Sequence, residues 1–213
     1  VISDLQVINL VDFLQEGDVL VFNDARVIKA KLSAKILCNS AQLEFNLDQE
    51  TQGVWNALCR PAKKVKVGDE LEIAPDFFAQ VLQKTDGGFI KIKFDSVGDE
   101  LLAKLEKYGA VPLPPYIKRP LDDAALCSGS GVEDQKNYQT IYAANGVAVA
   151  APTAGLHFNQ EIFAALEAKE IKKVFVTLNV GAGTFLPVRA DFLKDHKMHR
   201  ESFSISSDAA ETI

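Results

Sequence analysis

The feature that most constrains the fold is a series of short segments between Val27 and Phe94 in which apolar and polar residues alternate. Alternation with a period of two residues is typical of β-strands that bury one face and expose the other. Turn sequences such as Gly68-Asp69 and Asp86-Gly87-Gly88 separate the segments, and no helical pattern lies between them. Roughly six short strands without helices predict a small antiparallel β-barrel. The alternating segments are Ile28–Ile36, Leu43–Leu47, Val54–Leu58, Leu71–Ile73, Ala79–Leu82 and Ile90–Phe94.

The sequence on either side of this region mixes helical and strand patterns. Apolar residues at helical spacing predict a helix over Val7–Leu14, and the apolar run Val19–Phe22 predicts a buried strand. Further along, a strand over Gly146–Ala151, a helix capped by Asn159 and a strand over Lys173–Val180 form a βαβ pattern. This pattern predicts a largely parallel sheet outside the barrel.

Three further stretches outside the barrel have signatures of their own. Apolar residues at helical spacing after Val97 predict a helix that ends at Gly109. The proline-rich run Val111–Pro120 predicts a stiff, extended segment. The polar run Leu121–Asp134 predicts a mobile loop, and Ser206-Ser207-Asp208 predicts the start of another helix.

These patterns together predict an α/β fold (α+β overall), in which a small antiparallel β-barrel is inserted into an α/β barrel-like domain. The expected barrel domain comprises residues 27–96. The expected catalytic domain is discontinuous and incomplete, with residues 1–26 and 97–213. Because the chain begins with Val1 rather than Met and ends inside a predicted helix, we expect an internal piece of a longer chain.

Composition limits the classes of protein to which the chain can belong. With 213 residues, of which 47% are hydrophobic, the chain can bury an ordinary core and is too apolar for a disordered protein. No apolar run reaches the roughly 18–20 residues that span a bilayer, and no signal peptide is visible. The odd and widely spaced cysteines, Cys38, Cys59 and Cys127, indicate a reducing compartment without disulfides or a zinc site. We therefore predict a cytoplasmic protein with no membrane partner.

The net charge of −6 argues against an indiscriminate binder of polyanions, but the positive charge is clustered. Clusters that share one face would form a local basic surface. Solvated lysines at strand edges and helix ends are the structural alternative, and the sequence leaves both open. The clusters are Arg60, Lys63, Lys64 and Lys66; Lys118 and Arg119; Lys169, Lys172 and Lys173; and Arg189, Lys194, Lys197 and Arg200.

Polar residues follow two of the predicted strands, where α/β proteins place their ligand sites. Asn23-Asp24-Ala25-Arg26 follows the first strand; a turn is the simpler interpretation, and a site containing Asp24 and Arg26 is the functional one. Gly181-Ala182-Gly183-Thr184 suggests a phosphate cradle, because glycines let backbone N–H groups approach an anion. This loop lacks the Gly-Lys-Ser/Thr of a Walker loop and the third glycine of a dinucleotide fingerprint.

All three histidines lie beyond residue 145. His157, in a Gly-Leu-His-Phe turn, is the best single candidate for acid–base chemistry, with a purely structural role as the alternative. His196 and His199, with Glu201, match part of a metal site, but no further ligand lies at an informative spacing. Structural or substrate-binding roles are therefore favoured for this pair. No Ser or Cys lies in a nucleophile-elbow context.

Seven sequence motifs are distributed along nearly the whole chain: Gly17–Ile28, Arg60–Lys64, Val111–Ile117, Tyr138–Thr140, Ala150–Phe158, Thr177–Val188 and His196–Glu201. Together they closely resemble the S-adenosylmethionine:tRNA ribosyltransferase-isomerases of queuosine biosynthesis. Because the stretches are numerous and ordered, including Ala-Pro-Thr-Ala-Gly-Leu-His-Phe, the resemblance is specific. It also implies a small β-barrel inserted in a larger α/β barrel-like domain, in agreement with the periodicity.

The resemblance implies an enzyme that transfers and isomerises the ribosyl moiety of S-adenosylmethionine. The acceptor is 7-aminomethyl-7-deazaguanine at the tRNA wobble position, and the products are epoxyqueuosine-tRNA, adenine and methionine. In this chemistry the sulfonium acidifies the ribose 5′ carbon, a base generates an ylide, adenine departs and the amine of the deazaguanine attacks the sugar. S-adenosylmethionine is then a co-substrate, with no prosthetic group and no metal. The tRNA binds through its anticodon region, and a monomer is favoured while the oligomeric state stays open.

The resemblance also implies roles for individual residues. The expected catalytic residues are His157, as the leading general base or acid, Thr153 and Asp24. The expected residues for binding S-adenosylmethionine are Asn23, Arg26, Asn179, Gly181, Gly183 and Thr184. The expected residues for binding substrate tRNA are Arg60, Lys63, Lys64, Tyr116, Lys118, Arg119, Tyr138, Gln139, His196 and His199.

Two departures from the family pattern bear on these roles. The family usually has His where this chain has Asn179, which puts a proton-transfer role at that position in doubt, and the loop over Ser128–Asp134 is longer than usual. We also expect the family's N-terminal lead-in and C-terminal third to lie outside this chain. The rival hypothesis is a non-catalytic tRNA-binding barrel protein with a degenerate α/β partner domain.

Overall fold

The structure is a computed structural model that describes residues 2–114, 116–117, 129–185, 191–195 and 198–213, with the side chains of residues 129–132 and 193 left undescribed. It contains the predicted barrel, which is closed in the strand order β3-β4-β5-β8-β7-β6, with every neighbouring pair antiparallel. The predicted small antiparallel barrel is therefore confirmed. Its strands are β3 Lys31–Ile36, β4 Gln42–Thr51, β5 Val54–Arg60, β6 Glu70–Ala74, β7 Phe77–Lys84 and β8 Phe89–Phe94.

The barrel forms because alternate residues of its strands are apolar and point inward. In β8, Ile90 and Ile92 are fully buried, whereas Lys91 and Lys93, which follow them in alternation, are exposed. Phe45 and Phe77 are among the largest fully buried side chains of the described part of the chain. Closure also pairs the edges of the sheet, which removes unpaired backbone groups.

Outside the barrel, four strands make two parallel pairs, so the predicted parallel pairing is confirmed, but the pairs belong to two separate sheets rather than to one. They are β1 Val19–Asn23 with β10 Lys172–Asn179, and β2 Ala25–Val27 with β9 Asn145–Ala148. A short strand, β11 Ser202–Ser204, runs antiparallel to β10.

The simpler interpretation of Asn23–Arg26, a turn, is wrong. The chain continues from β1 into β2 and is interrupted only at Asp24. The strand persists because this stretch has backbone partners on both sides, β10 beside β1 and β9 beside β2. Partners from distant parts of the chain outweigh the local preference of Asn and Asp for turns.

The helices are α1 Leu10–Phe13, α2 Gly98–Tyr108, α3 Gly129–Asn137, α4 Gln160–Ala168 and α5 Ser207–Thr212. The predicted helix starts are confirmed, since the Asn159 Oδ1 atom accepts a hydrogen bond from Ile162 N at 2.9 Å and Ser206 Oγ accepts one from Ala209 N at 3.1 Å. Helix α2 ends before Gly109, as predicted. A 3₁₀ turn over Val7–Asn9 precedes α1.

The predicted loop over residues 121–134 is wrong from Gly129 onward, where α3 begins. Its Ser-Gly-rich start has low helix propensity, but propensity is a weak preference that tertiary contacts override. One such contact joins the Gln135 Nε2 atom to the Glu106 carboxylate of α2 at 2.9 Å. The earlier part of that stretch, residues 121–128, lies outside the described residues.

The barrel and the α/β part share buried surface. The hydrophobic cluster inside the barrel extends to Leu101 and Leu105 of α2, and to Val149 and Ala182. A second cluster, in which Phe22 is buried, holds α1 and α4 against β1. The division into a domain of residues 27–96 and a domain of residues 1–26 and 97–213 stays a prediction.

Candidate functional site

Asp24 lies at the point where the extended β1–β2 stretch changes partner. Its backbone N–H donates to the Val176 carbonyl of β10 at 3.0 Å, and its own carbonyl accepts a hydrogen bond from Ala144 N at 2.9 Å, next to β9. Asp24 therefore sits between the carboxyl end of β10 and the start of β9. This edge of a parallel sheet is the usual place for ligand sites in α/β proteins.

The Asp24 carboxylate is buried and is held by two donors from distant parts of the chain. Thr177 Oγ1 donates to Oδ1 at 2.7 Å, and Asn145 Nδ2 donates to Oδ2 at 2.7 Å. The residue is only 5% exposed. A buried carboxylate is tolerated only with such partners, and each oxygen keeps a further lone pair for a ligand.

A cavity of about 520 Å³ opens beside this carboxylate. Among the described residues that line it, Asp24 is the only charged one; the others are amides, hydroxyls, a glycine and one aromatic ring. A polar cavity with a single negative charge is suited to a ligand that carries positive charge and several hydrogen-bonding groups. The lining consists of Asp24, Asn145, Gly146, Phe175, Thr177, Asn179, Ser204 and Ser206.

Gly146 is required by the shape of the cavity wall. Its φ is +66°, and a Cβ atom there would lie 2.5 Å from Thr177 Cγ2 and would also collide with Asn179 Oδ1. The close approach lets Asn179 Oδ1 accept a hydrogen bond from Val147 N at 2.8 Å, while its Nδ2 donates to Ser202 Oγ at 3.0 Å. Asn179, predicted from sequence to bind the co-substrate, thus joins β9 to β11 at the cavity.

Asn23 and Arg26 flank Asp24 but make different contacts. Asn23 Nδ2 donates to the Leu178 carbonyl at 3.0 Å and its Oδ1 accepts from Leu178 N at 2.9 Å, so the side-chain amide bonds to β10 beyond the last paired residues, Asn23 and Val176. Arg26 is exposed and acts on Glu106 of α2. Burial raises the pKa of Glu106, but hydrogen bonds from Lys29 and Gln135 and the charges of Lys29 and Arg26 outweigh burial and hold that pKa below its ordinary value.

The Thr153–His157 stretch forms a 3₁₀ turn, which is held by contacts of Gly155 and of the following residue, Phe158. Gly155 is buried directly against the Tyr142 hydroxyl, where a Cβ atom has no room. Phe158, which follows the turn, packs edge-on against Phe22 with ring centroids 5.0 Å apart. Thr153 and His157 are exposed, and neither is among the described residues that line the cavity.

The Gly181–Thr184 loop leaves little room for the phosphate cradle that its glycines suggest. Gly181 N donates to Glu201 Oε1 at 3.0 Å, Ala182 N donates to Asp48 Oδ1 at 2.7 Å, and Thr184 N donates to the Gly181 carbonyl at 3.3 Å. Three of the four backbone donors are thus bound within the chain. The binding roles of Gly181, Gly183 and Thr184 stay predictions.

The residues predicted to bind tRNA fall into two groups. Arg60, Lys63 and Lys64 are exposed at the end of β5 and in the 3₁₀ turn over Ala62–Lys64. Nearby, the His199 ring lies 6.5 Å from the Phe89 ring.

The second group lies outside the barrel. Tyr116 is 77% exposed. Tyr138 is buried, and burial raises its pKa. Gln139 Oε1 accepts a hydrogen bond from Val27 N at 3.0 Å, so both side chains have internal contacts. Lys118, Arg119 and His196 lie outside the described residues.

The expected catalytic and co-substrate-binding residues lie in three polar runs, Asn23–Arg26, Thr153–His157 and Asn179–Thr184, and two of these runs meet in the structure. Asn23 bonds to Leu178, and Asp24 and Asn179 line one cavity. The third run, Thr153–His157, contacts Thr140 and Tyr142 instead. Sequence reasoning missed Asn145, Thr177, Ser204 and Ser206 as site residues, although Asn145 comes directly before the predicted strand Gly146–Ala151 and Thr177 lies near the end of another predicted strand.

The described residues contain no group of three or more His, Cys, Asp or Glu side chains that could hold a metal ion. Cys38 and Cys59 are free thiols, and burial raises the pKa of Cys59 to about 11 despite the opposing charge of Lys84. Cys127 lies outside the described residues. Within the part of the chain that the structure covers, no helix is long and apolar enough to cross a membrane.

Comparison with known proteins places these features in a family. The family model of the queuosine biosynthesis proteins matches residues 1–213, and the chain belongs to this family. It is 46% identical over 211 residues to the S-adenosylmethionine:tRNA ribosyltransferase-isomerase of Rhodospirillum rubrum, an alignment that covers 99% of this chain and 58% of that protein. The enzyme of the same name from Maricaulis maris is 42% identical over 220 residues, covering 100% of this chain and 60% of that protein.

The chain thus spans about 60% of the length of these relatives. Among solved structures, the S-adenosylmethionine tRNA ribosyltransferase from Thermotoga maritima aligns with 96% of this chain and 50% of its own. The identity is 24% and the TM-score is 0.33, a level at which superposition does not establish a common arrangement.

Proposed function

We propose that the protein to which this chain belongs transfers and isomerises the ribosyl moiety of S-adenosylmethionine onto tRNA. The acceptor is 7-aminomethyl-7-deazaguanine at the wobble position, and the products are epoxyqueuosine-tRNA, adenine and methionine. Family membership and relatives named as S-adenosylmethionine:tRNA ribosyltransferase-isomerases support this proposal. Because tRNA and S-adenosylmethionine are the proposed substrates, the proposed location of the reaction is the cytoplasm.

The single observation that carries the proposal is the cavity beside Asp24. S-adenosylmethionine carries a sulfonium and an ammonium group against one carboxylate, so its net charge is positive. The cavity offers one buried carboxylate among neutral polar groups, and its volume of about 520 Å³ lies within the range of roughly 300–1,000 Å³ typical of small-molecule sites. Asp24 therefore supplies the charge that the co-substrate needs.

The neutral side chains of the cavity suit the rest of the molecule. Asn145, Thr177, Asn179, Ser204 and Ser206 present amides and hydroxyls that bind ribose hydroxyls and the adenine edge. Phe175, stacked at 5.7 Å on Phe22, gives the adenine ring an aromatic neighbour. The walls replace water around the reacting sulfonium and hold the ribose in one orientation.

His157 supplies the proton transfer in this proposal. Its imidazole is exposed at the end of the turn and is therefore accessible to a substrate. The backbone of the turn is held by buried Gly155 and by the packing of Phe158, which fixes the position of the ring. In this proposal the bound ribose extends from the Asp24 cavity, whose described lining does not include His157, to this turn, where the imidazole takes the proton from the 5′ carbon beside the sulfonium. Thr153, exposed in the same turn, orients the bound sugar.

The barrel and the segment around Tyr116 supply the tRNA contacts. Arg60, Lys63 and Lys64 lie together at one end of β5 and neutralise phosphates, while the exposed ring of Tyr116 offers a surface on which an unstacked anticodon base can lie. Lys118, Arg119 and His196 complete this set by resemblance to the family.

The experiment that tests the proposal uses the full-length protein with S-adenosylmethionine and tRNA that carries the 7-aminomethyl-7-deazaguanine base. We expect tRNA-dependent release of adenine and methionine. The substitution His157→Ala should lower turnover by about 10²–10⁴-fold, because a general acid–base contributes that factor, and should leave tRNA binding intact. The matched control is Gln160→Ala, an exposed change in the first turn of α4.

The outcome distinguishes an enzyme from a tRNA adaptor. Isothermal titration with S-adenosylmethionine should give saturable binding. A protein that retains tRNA but shows neither saturable uptake of S-adenosylmethionine nor adenine release would support the non-catalytic alternative. Near-normal turnover of the His157 variant would remove that residue from the mechanism.

A further inference from the structure

The barrel and the loop after β10 are joined by a carboxylate that the proposed mechanism does not use. Asp48 lies on β4, where the register shifts between Leu47 and Glu50. Its Oδ1 atom accepts a hydrogen bond from Ala182 N at 2.7 Å. Its Oδ2 atom accepts one from Asn56 Nδ2 of β5 at 3.0 Å, which fixes the carboxylate in place.

Gly181 is shaped to receive this carboxylate. A Cβ atom on Gly181 would lie 2.5 Å from Asp48 Oδ1, closer than such atoms approach. Gly181 is not among the glycines with positive φ, so the space beside Asp48, rather than the backbone conformation, excludes a side chain here. The loop and the carboxylate therefore fit as one unit.

Two further contacts bind the same part of the chain. Glu201 Oε1 accepts a hydrogen bond from Gly181 N at 3.0 Å, so a second carboxylate holds the adjacent amide. Gln49, next to Asp48 on β4, donates a hydrogen bond from its side-chain Nε2 atom to the Arg200 carbonyl. The barrel strand thus holds the loop and the segment that leads into β11.

These contacts reach the cavity through β10. Val180 accepts a hydrogen bond from Val149 N at 2.9 Å, one residue before the loop. Asn179, one residue earlier, lines the cavity and bonds to Val147 and Ser202. A shift of the loop therefore moves Asn179 relative to Asp24.

We propose that Asp48 is a positioning residue, which acts through the Gly181–Ala182 backbone to hold Asn179 and the cavity wall in place for catalysis. The barrel thereby does more than bind tRNA: it fixes one wall of the co-substrate cavity. The effect on turnover rests on the proposed function, whereas the effect on the loop does not. The two are measured separately.

The first measurement is backbone hydrogen exchange in the full-length protein. Asp48→Ala removes the acceptor of the Ala182 N–H, so exchange in the Gly181–Thr184 segment should become at least about tenfold faster. Asp48→Asn keeps an acceptor oxygen of the same shape and should retain protection. The control is Glu70→Ala, which removes an exposed carboxylate from β6, a strand that does not pair with β4. Unchanged exchange in Asp48→Ala would overturn the inference whatever the enzyme does.

The second measurement is a double-mutant cycle in turnover. Asp48→Ala should lower kcat by roughly 10- to 100-fold, as small misplacements do, with KM for tRNA changed by less than about threefold. Asp48→Asn should restore kcat. Gly181→Ala should be equally damaging in the native background but much less so beside Asp48→Ala, where the clash is absent.

The outcomes separate the two proposals. Additive effects, or equal losses in Asp48→Asn and Asp48→Ala, would overturn positioning through the Ala182 N–H. If wild-type protein releases no adenine, the proposed function fails, while faster exchange in Asp48→Ala with retention in Asp48→Asn still supports the role of Asp48 in holding the loop.

Discussion

The interior of the barrel and the cavity beside Asp24 adjoin each other but are held together by different contacts. Inside the barrel, fully buried apolar side chains such as Phe45, Leu47 and Phe77 pack together. Around the cavity, hydrogen bonds join Asp24 to Asn145 and Thr177, which lie 121 and 153 residues further along the chain. The comparison teaches that packing sets the stability of the barrel, whereas a few long-range polar contacts set the shape of the site.

The largest expected effect comes from opening the barrel core. Phe45→Ala should lower the free energy of unfolding by about 3–5 kcal/mol, because it removes a buried ring and leaves a cavity. Urea unfolding followed by circular dichroism measures the change. Val67→Ala, at a position that is 63% exposed, is the control and should stay within about 0.5 kcal/mol. A loss below about 1 kcal/mol for Phe45→Ala would remove the contrast between the two regions.

A smaller effect is expected at the cavity wall, where two glycines allow a matched comparison. Gly146 and Gly53 both have positive φ, +66° and +78°, but a Cβ atom at Gly53 meets nothing within 4 Å. Gly53→Ala measures backbone strain alone. Gly146→Ala adds a collision with Thr177 and Asn179 and should cost about 1–3 kcal/mol more in unfolding free energy. Equal losses of unfolding free energy in the two variants would mean that Thr177 and Asn179 can move away from the added Cβ atom at little cost, which would contradict the expectation.

The smallest expected effect concerns the exposed side of α2. The pKa of Glu106 lies below its ordinary value because bonds and charges from Lys29, Gln135 and Arg26 outweigh burial. Its folded-state pKa is depressed, so its contribution to stability is present above about pH 4.3, the ordinary glutamate value, and is lost as pH falls through the folded pKa. The Glu106 side chain is 52% exposed, so solvent screens its ion pair with Lys29 and a contribution of about 0.5 kcal/mol or less is expected.

Unfolding of Glu106→Gln beside the wild type at neutral and acidic pH measures this contribution. The difference between the two proteins should shrink on acidification and also in high salt, which screens exposed pairs. A difference that grows as pH falls would reverse the sign of the argument.

The sequence predicted the barrel well because its signal is local. Each strand alternates with a period of two residues, and the burial of Ile90 and Ile92, in alternation with exposed Lys91 and Lys93, follows from that period alone. The caps at Asn159 and Ser206 were also predicted, since a cap depends on residues three positions away.

The site was predicted only in part because its contacts are not local. Asp24 was a candidate from its place after a strand, but the donors that hold it, Asn145 and Thr177, gave no pattern of their own. Asn23–Arg26 reads as a turn until the strands on both sides are known. The glycines of the Gly181–Thr184 loop resemble an anion cradle, and only the structure places Asp48 of the barrel against them.

The central claim is that the Asp24 carboxylate draws the positively charged co-substrate into the cavity. Isothermal titration of the full-length protein should give at least tenfold weaker binding of S-adenosylmethionine to Asp24→Asn, since a charge-assisted hydrogen bond contributes about 1.5–3 kcal/mol. Asp86→Asn, an exposed change in the turn before β8, should bind as the wild type does. The wild type should also prefer S-adenosylmethionine to uncharged-sulfur S-adenosylhomocysteine, and Asp24→Asn should lose that preference. A folded Asp24→Asn variant with wild-type affinity and preference would contradict the account.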